Sequence, residues 1–256
     1  MKLERIQLTP MQLMSIPEKE RQLLILLGHA LNEINVLTKL FLIAGIFENK
    51  PKWRAQGQVC QALVLGRTLT GKLNEVWELI VKGYLRNGLS KKYDKVLDSE
   101  GKEASRWLRK YFGKKNLVFK VRNSFAFHYS LNHAGLEIPA DLPPEELSIY
   151  FGETNGNSLY QFAEHVMGMA MLQSINPTDP TVAFDALVTE TADITGHFNA
   201  LAQRIMYCIL ESSIGQEQLS QMLEPIDCGP VKDSTEIDIP FFHNVVQKVK
   251  RSASAA

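Results

Sequence analysis

Cysteine is scarce in this 256-residue chain: Cys60, Cys208 and Cys228 are all there is. An odd number, widely spaced and without a CxxC pair, supplies neither a disulfide framework nor a cysteine zinc site. It fits a reducing, cytoplasmic compartment. Also missing are G-x-x-x-x-G-K, G-x-G-x-x-G and G-x-S-x-G. Their absence argues against P-loop NTPases, Rossmann enzymes and serine hydrolases. No Glu-x-x-His occurs, so a di-metal carboxylate bundle would lack its ligand pairs. The N-terminus, MKLERIQLTPMQLMSIPEKER, has no continuous apolar core and no small-residue cleavage site, unlike a signal peptide. The most apolar stretch, 23–47, is interrupted by His29, Asn32, Glu33, Asn35 and Lys39. A membrane span needs about 20 mostly apolar residues, so this stretch reads as a helix of a soluble bundle with no membrane partner. Convincing strand alternation and internal repeats are absent as well.

Net charge is zero, yet the charges are segregated. Residues 1–122 hold 23 Lys and Arg against 11 Asp and Glu; residues 137–240 hold 17 acidic residues against Arg204 and Lys232. The densest basic part ends in RWLRKYFGKKNLVFKVR, 106–122, with aromatics interleaved. Such a half can attract nucleic acid or an acidic partner. It can equally dock on the chain's own acidic half.

Helical periodicity dominates the pattern. Ser15-Ile16-Pro17-Glu18 reads as a capping box opening a helix that ends near Phe47. Steps of three and four through Val59, Ala62, Leu65, Leu69, Leu73, Val76 and Ile80 predict a second helix over 54–87. A more polar third helix spans 90–112, and Asn116 caps a fourth from 117 to about 132. Proline and glycine make 137–158 a connection with one short helix at 143–150. Long helices resume at 158–175 and 181–213, and a last short one is expected at 240–251. The reading is an all-α antiparallel bundle, with residues 1–136 as its core and 137–256 as an acidic helical extension packed on it, forming one compact unit.

Residues 121–130, VRNSFAFHYS, bear the candidate chemistry. Leu117, Val121, Phe125 and His128 follow steps of four, four and three, which puts His128 on the apolar stripe. On a straight α-helix Arg122 and His128 would diverge by about 120° around the axis, about 9 Å apart along it. A second copy packed across a dimer would bring two such pairs together. Taken alone, a histidine on an apolar stripe is more often a core residue, and an arginine near a helix start is usually a surface charge. Other polar groups carry blander readings. Glu190, Asp193 and His197 share one face of the 181–213 helix and read as a polar face. His29 and Glu33 lie one turn apart and face a neighbouring helix or solvent. Glu164 and His165 point to different faces, and His128 and His133 are poorly spaced for one metal. No metal or cofactor site is expected.

Arg122, Asn123, four further residues and then His128 resemble the Rx4–6H signature of the HEPN superfamily, within the helical context of about 18–135. The resemblance implies a four- or five-helix bundle that dimerises through the motif helix. It implies a metal-independent ribonuclease, of the kind found in toxin–antitoxin and antiviral defence systems, acting without cofactor on RNA. An antitoxin or other regulatory protein is then an expected partner. His128 would move the proton, Arg122 would stabilise the phosphate, and Asn123 would support both. Two alternatives stand beside it: a non-catalytic HEPN-like RNA-binding or scaffold module, and a helical protein that binds a protein partner.

Overall fold

The computed structural model describes residues 1–46, 50–127, 138, 140 and 142–243. It is all-α, 71% helical, with only small antiparallel sheets. Strand β1 (Lys2–Ile6) precedes α1 (Pro10–Ser15), α2 (Glu18–Ala44) and α3 (Lys52–Ile80). After a π-helical turn at Val81–Leu85 come α4 (Leu89–Tyr93), α5 (Ser99–Phe112) and α6 (Leu117–Val121). A second π-helical turn, Arg122–Ala126, continues α6 directly. Strands β2 (Ile149–Tyr150) and β3 (Leu159–Tyr160) lead into α7 (Gln161–Ile175), α8 (Pro180–Ile214), α9 (Gln216–Gln221) and β4 (Leu223–Asp227).

Caps explain most boundaries. Asp179 accepts from the amides of Thr181 (2.8 Å) and Val182 (3.1 Å), and Pro180 sits at the first position of α8. Both features suit a helix start, where four amides lack intrahelical partners. Gly215, at φ 92°, ends α8 in a conformation that costs glycine little. Asp98 caps α5 through the Gly101 amide at 2.8 Å. The capping box lies one helix earlier than its expected place at Ser15–Glu18. Thr9 accepts from the Gln12 amide and donates its own amide to the Gln12 side chain, opening α1. Pro17 precedes α2 without any side-chain cap. The expected third helix is two, α4 and α5, because Asp98 starts a new one. The expected helix at 143–150 is a 3-10 turn, Pro144–Leu147. The last one, 240–251, is not helical over 240–243 and otherwise lies outside the described residues.

One core serves both halves of the chain. Residues Ala183, Leu187, Thr191, Ile194, Phe198, Leu201, Ile205 and Ile209 recur every three or four positions along α8 and are buried. That stripe packs on α2, α3 and α5, the arrangement expected of an amphipathic bundle helix. Between α2 and α8, Asn35 and Asn199 exchange side-chain amide bonds of 3.0 and 2.7 Å, and the Thr38 and Thr195 hydroxyls meet at 3.1 Å. These pairs satisfy polar groups that would otherwise be costly at a helix contact. Helix α2 is long and apolar enough to cross a membrane, with a third of its most apolar stretch buried in the protein.

Two small sheets were not expected from the sequence. Strand β1 pairs antiparallel with β4, Lys2 opposite Asp227, and β2 pairs with β3. The segregated charges also meet across the fold. Asp238 pairs with Lys50 and Arg54, Glu146 with Lys52, Glu224 with Arg5, and Arg204 with Asp98 and Glu100. Arg67 and Glu164 form a bidentate bridge at 2.7 and 3.0 Å, mostly buried on both sides.

Candidate functional site

The motif segment starts as ordinary helix. Asn116 accepts from the Phe119 amide at 2.8 Å, as its sequence position predicts. Val118, Val121 and Phe125 face the core. At Arg122 the hydrogen bonding changes from i+4 to i+5, and the helix ends before Phe127. A π turn takes up an extra residue, so the spacing worked for a straight α-helix to residue 132 does not describe this segment. His128 and His133 lie outside the described residues.

Arg122 and Asn123 are adjacent in space as in sequence. The Arg122 guanidinium donates to Asn123 Oδ1 at 3.1 Å and to Glu75 Oε1 of α3 at 3.4 Å. Its Nε is buried without a hydrogen-bond partner. The pair with Glu75 is long, and Glu75 is 56% exposed. A solvent-exposed ion pair of this kind contributes at most about 1 kcal/mol. The guanidinium is therefore oriented but weakly occupied. An incoming phosphate, which can take two parallel N–H bonds, competes well for it.

Phe127, the last described residue before His128, rests on α3 at Gly71. A Cβ built at Gly71 would lie 2.1 Å from Phe127 Cε2. Glycine at 71 is thus what lets the ring reach α3 and fixes the chain just ahead of the histidine.

Beside the motif runs a groove of about 780 Å³. Lys114, Lys115 and Lys120 give it positive charge, and Asn123 and Ser124 of the motif segment line it. Leu117, Ile175 and Ala186 supply apolar surface, with the exposed Phe119 ring among them. Lys120 donates to the Ser174 carbonyl, which fixes its ammonium without neutralising it. Lys114 and Lys115 are exposed and have no carboxylate partner among the described residues. The groove's acidic lining residue, Glu190, accepts from the Tyr111 hydroxyl. Burial and that bond push the Tyr111 phenol above its ordinary range.

The other candidates are dispersed. His197 stacks on Trp107 at 4.1 Å, and Trp107 stacks in turn on Tyr111, the donor to Glu190. His29 lies 3.8 Å from Glu33, whose other oxygen binds Lys72 at 2.7 Å. Glu164 turns to Arg67, while His165 Nδ1 meets Glu146 at 3.3 Å. Among the described residues no group of three or more His, Cys, Asp or Glu could hold a metal. Sequence reasoning missed Glu75, Gly71 and the groove. The interleaved lysines and aromatics of 106–122 were the available signal for the groove; nothing local marks Glu75 or Gly71.

No protein family, curated protein or solved structure matches this chain.

Proposed function

We propose that this protein is a metal-independent endoribonuclease of the HEPN type, acting in the cytoplasm as a homodimer. The observation that carries the reading is Arg122, oriented by Asn123 and weakly tethered by Glu75, beside a lysine-lined groove and six residues before His128. RNA brings its own nucleophile, the 2′-OH. In this mechanism the His128 imidazole takes that proton, a role suited to histidine, whose ordinary pKa lies near neutrality. The 2′ oxygen attacks the adjacent phosphorus as the bond to the 5′ oxygen breaks, and an imidazolium, the partner copy's or the same one, protonates the leaving group. Arg122 stabilises the charge that builds on the phosphoryl oxygens. The products are a 2′,3′-cyclic phosphate and a 5′-OH. Dimerisation through the motif helix would pair two such sites, and the half-exposed Phe127 is suited to that contact.

The test is cleavage of a mixed-sequence RNA in EDTA by wild type and variants. His128→Ala should abolish cleavage and leave binding nearly intact. Arg122→Ala should weaken both. Arg122→Lys should rescue only in part, because an ammonium lacks the two-pronged contact. Cleavage that EDTA stops, or that survives His128→Ala, would sink the mechanism. Glu75 on the guanidinium favours a second reading, a non-catalytic RNA-binding or scaffold module. Wild-type protein that binds RNA but never cuts it would establish that one instead.

A further inference from the structure

Resting on that reading of the motif, we infer that the groove beside it is a binding track for single-stranded RNA. It holds the strand by its phosphates and by one unstacked base, and it does not accept a duplex. Three features of the groove select this ligand. Lys114 and Lys115 project from the turn between α5 and α6 and form no ion pair among the described residues. Lys120, one turn along α6, is anchored on the Ser174 carbonyl. Three cations lining one groove match a polyanion, not a single anion. The apolar side supplies the second feature. Phe119 is 39% exposed within a groove that also presents Leu117, Ile175 and Ala186. An exposed ring among apolar lining residues suits the face of a base that has left its stack, the usual mode of single-strand recognition. A duplex keeps its bases stacked inside and offers such a ring nothing. The third feature is continuity. Asn123 and Ser124 line the groove, and Arg122 adjoins them, so a strand lying on the lysines runs towards the guanidinium. Glu190 is the acidic group on the lining, and its bond to Tyr111 holds it to the α5 side.

The measurement is fluorescence anisotropy of a labelled 12-nucleotide RNA across a salt series. The RNA is 2′-O-methylated, so it cannot be cut by 2′-OH attack. Losing two phosphate contacts in Lys114→Gln/Lys115→Gln should flatten the plot of log affinity against log salt by about 1.4. Affinity should fall at least tenfold at moderate salt. Lys2→Gln/Lys19→Gln, on exposed lysines outside the groove, makes the same charge change and should do neither. Phe119→Ala should weaken the single strand about tenfold and leave whatever weak binding a duplex of equal length shows unchanged. The inference is overturned if both lysine pairs behave alike, if wild type prefers the duplex, or if inorganic polyphosphate binds as well as RNA with no effect of Phe119→Ala. Its fate is separable from that of the ribonuclease reading. A protein that binds through the groove but cuts no unmodified RNA loses the reaction and keeps the track. One that cuts RNA with unchanged affinity in Lys114→Gln/Lys115→Gln keeps the reaction and loses the track.

Discussion

Replacing Gly71 by alanine should test how the motif is held, independently of any activity. The new methyl would lie 2.1 Å from Phe127 Cε2 and 2.5 Å from Cζ. Carbon atoms pack best at about 3.5 Å, so the ring must withdraw by about 1.4 Å. Half of Phe127 is solvent-exposed, which lets it swing outward, and overpacking of this kind costs about 1–3 kcal/mol. Against that, alanine favours a helix interior over glycine by about 1 kcal/mol. The net in the wild-type background is a loss of about 0–2 kcal/mol. In a Phe127→Ala background the clash has gone and only the gain of about 1 kcal/mol remains. The double-mutant cycle should therefore show a coupling of about 1–3 kcal/mol, read from urea denaturation of the four proteins. If the two changes add within about 0.3 kcal/mol, Phe127 does not rest on Gly71 and the positioning argument fails. A displaced Phe127 should also shift His128. Misplacement by about 1 Å can cost about 100-fold in rate, so on the proposed reaction Gly71→Ala should lose far more RNA cleavage than stability.

Four further outcomes are expected. Glu164→Ala strands the nearly buried Arg67 guanidinium and should cost about 3–5 kcal/mol by urea unfolding; a loss below about 1 kcal/mol would mean the pair is hydrated in solution. Burial first, and the Glu164 carboxylate second, push the Cys60 thiol up from 9.0 to about 12. The unfolded chain then holds fewer protons than the folded one between those values, so stability falls as pH rises through them. Cys60→Ala should lose less stability than wild type between pH 8.5 and 10.5, and parallel curves would refute the shift. With a thiol-reactive dye at pH 8, exposed Cys228 should label in the native protein, and buried Cys208 only after denaturant; rapid native labelling of Cys208 would contradict its burial. Sedimentation at micromolar concentration should give a dimer, and a monomer would count against the paired motif.

How the sequence and the fold divide the work can be followed residue by residue. The long helices are written locally: the spacing of Leu69, Leu73, Val76 and Ile80, or of Ile194, Phe198, Leu201 and Ile205, is the 3.6-residue period itself. Asn116 was legible as a cap because capping needs only a side chain and an amide three residues on. Arg122, Asn123 and His128 could be singled out from sequence alone because a short spacing is all that the resemblance uses. The strand at Lys2–Ile6 was not, because its order comes from pairing with Leu223–Asp227, and a mostly exposed five-residue ribbon has no periodicity to betray it. The π turn at Arg122–Ala126 was hidden too: the residues there read as continuing helix, and the turn is seen only in the structure, where the segment packs on α3. Tertiary structure alone brought Glu75 to Arg122 across 47 positions of sequence, set Phe127 on Gly71, and gathered three lysines into the lining of one groove. Local periodicity and caps specify which residues become helix; which side chains meet is decided by burying those helices against one another, and that is a property of the whole chain.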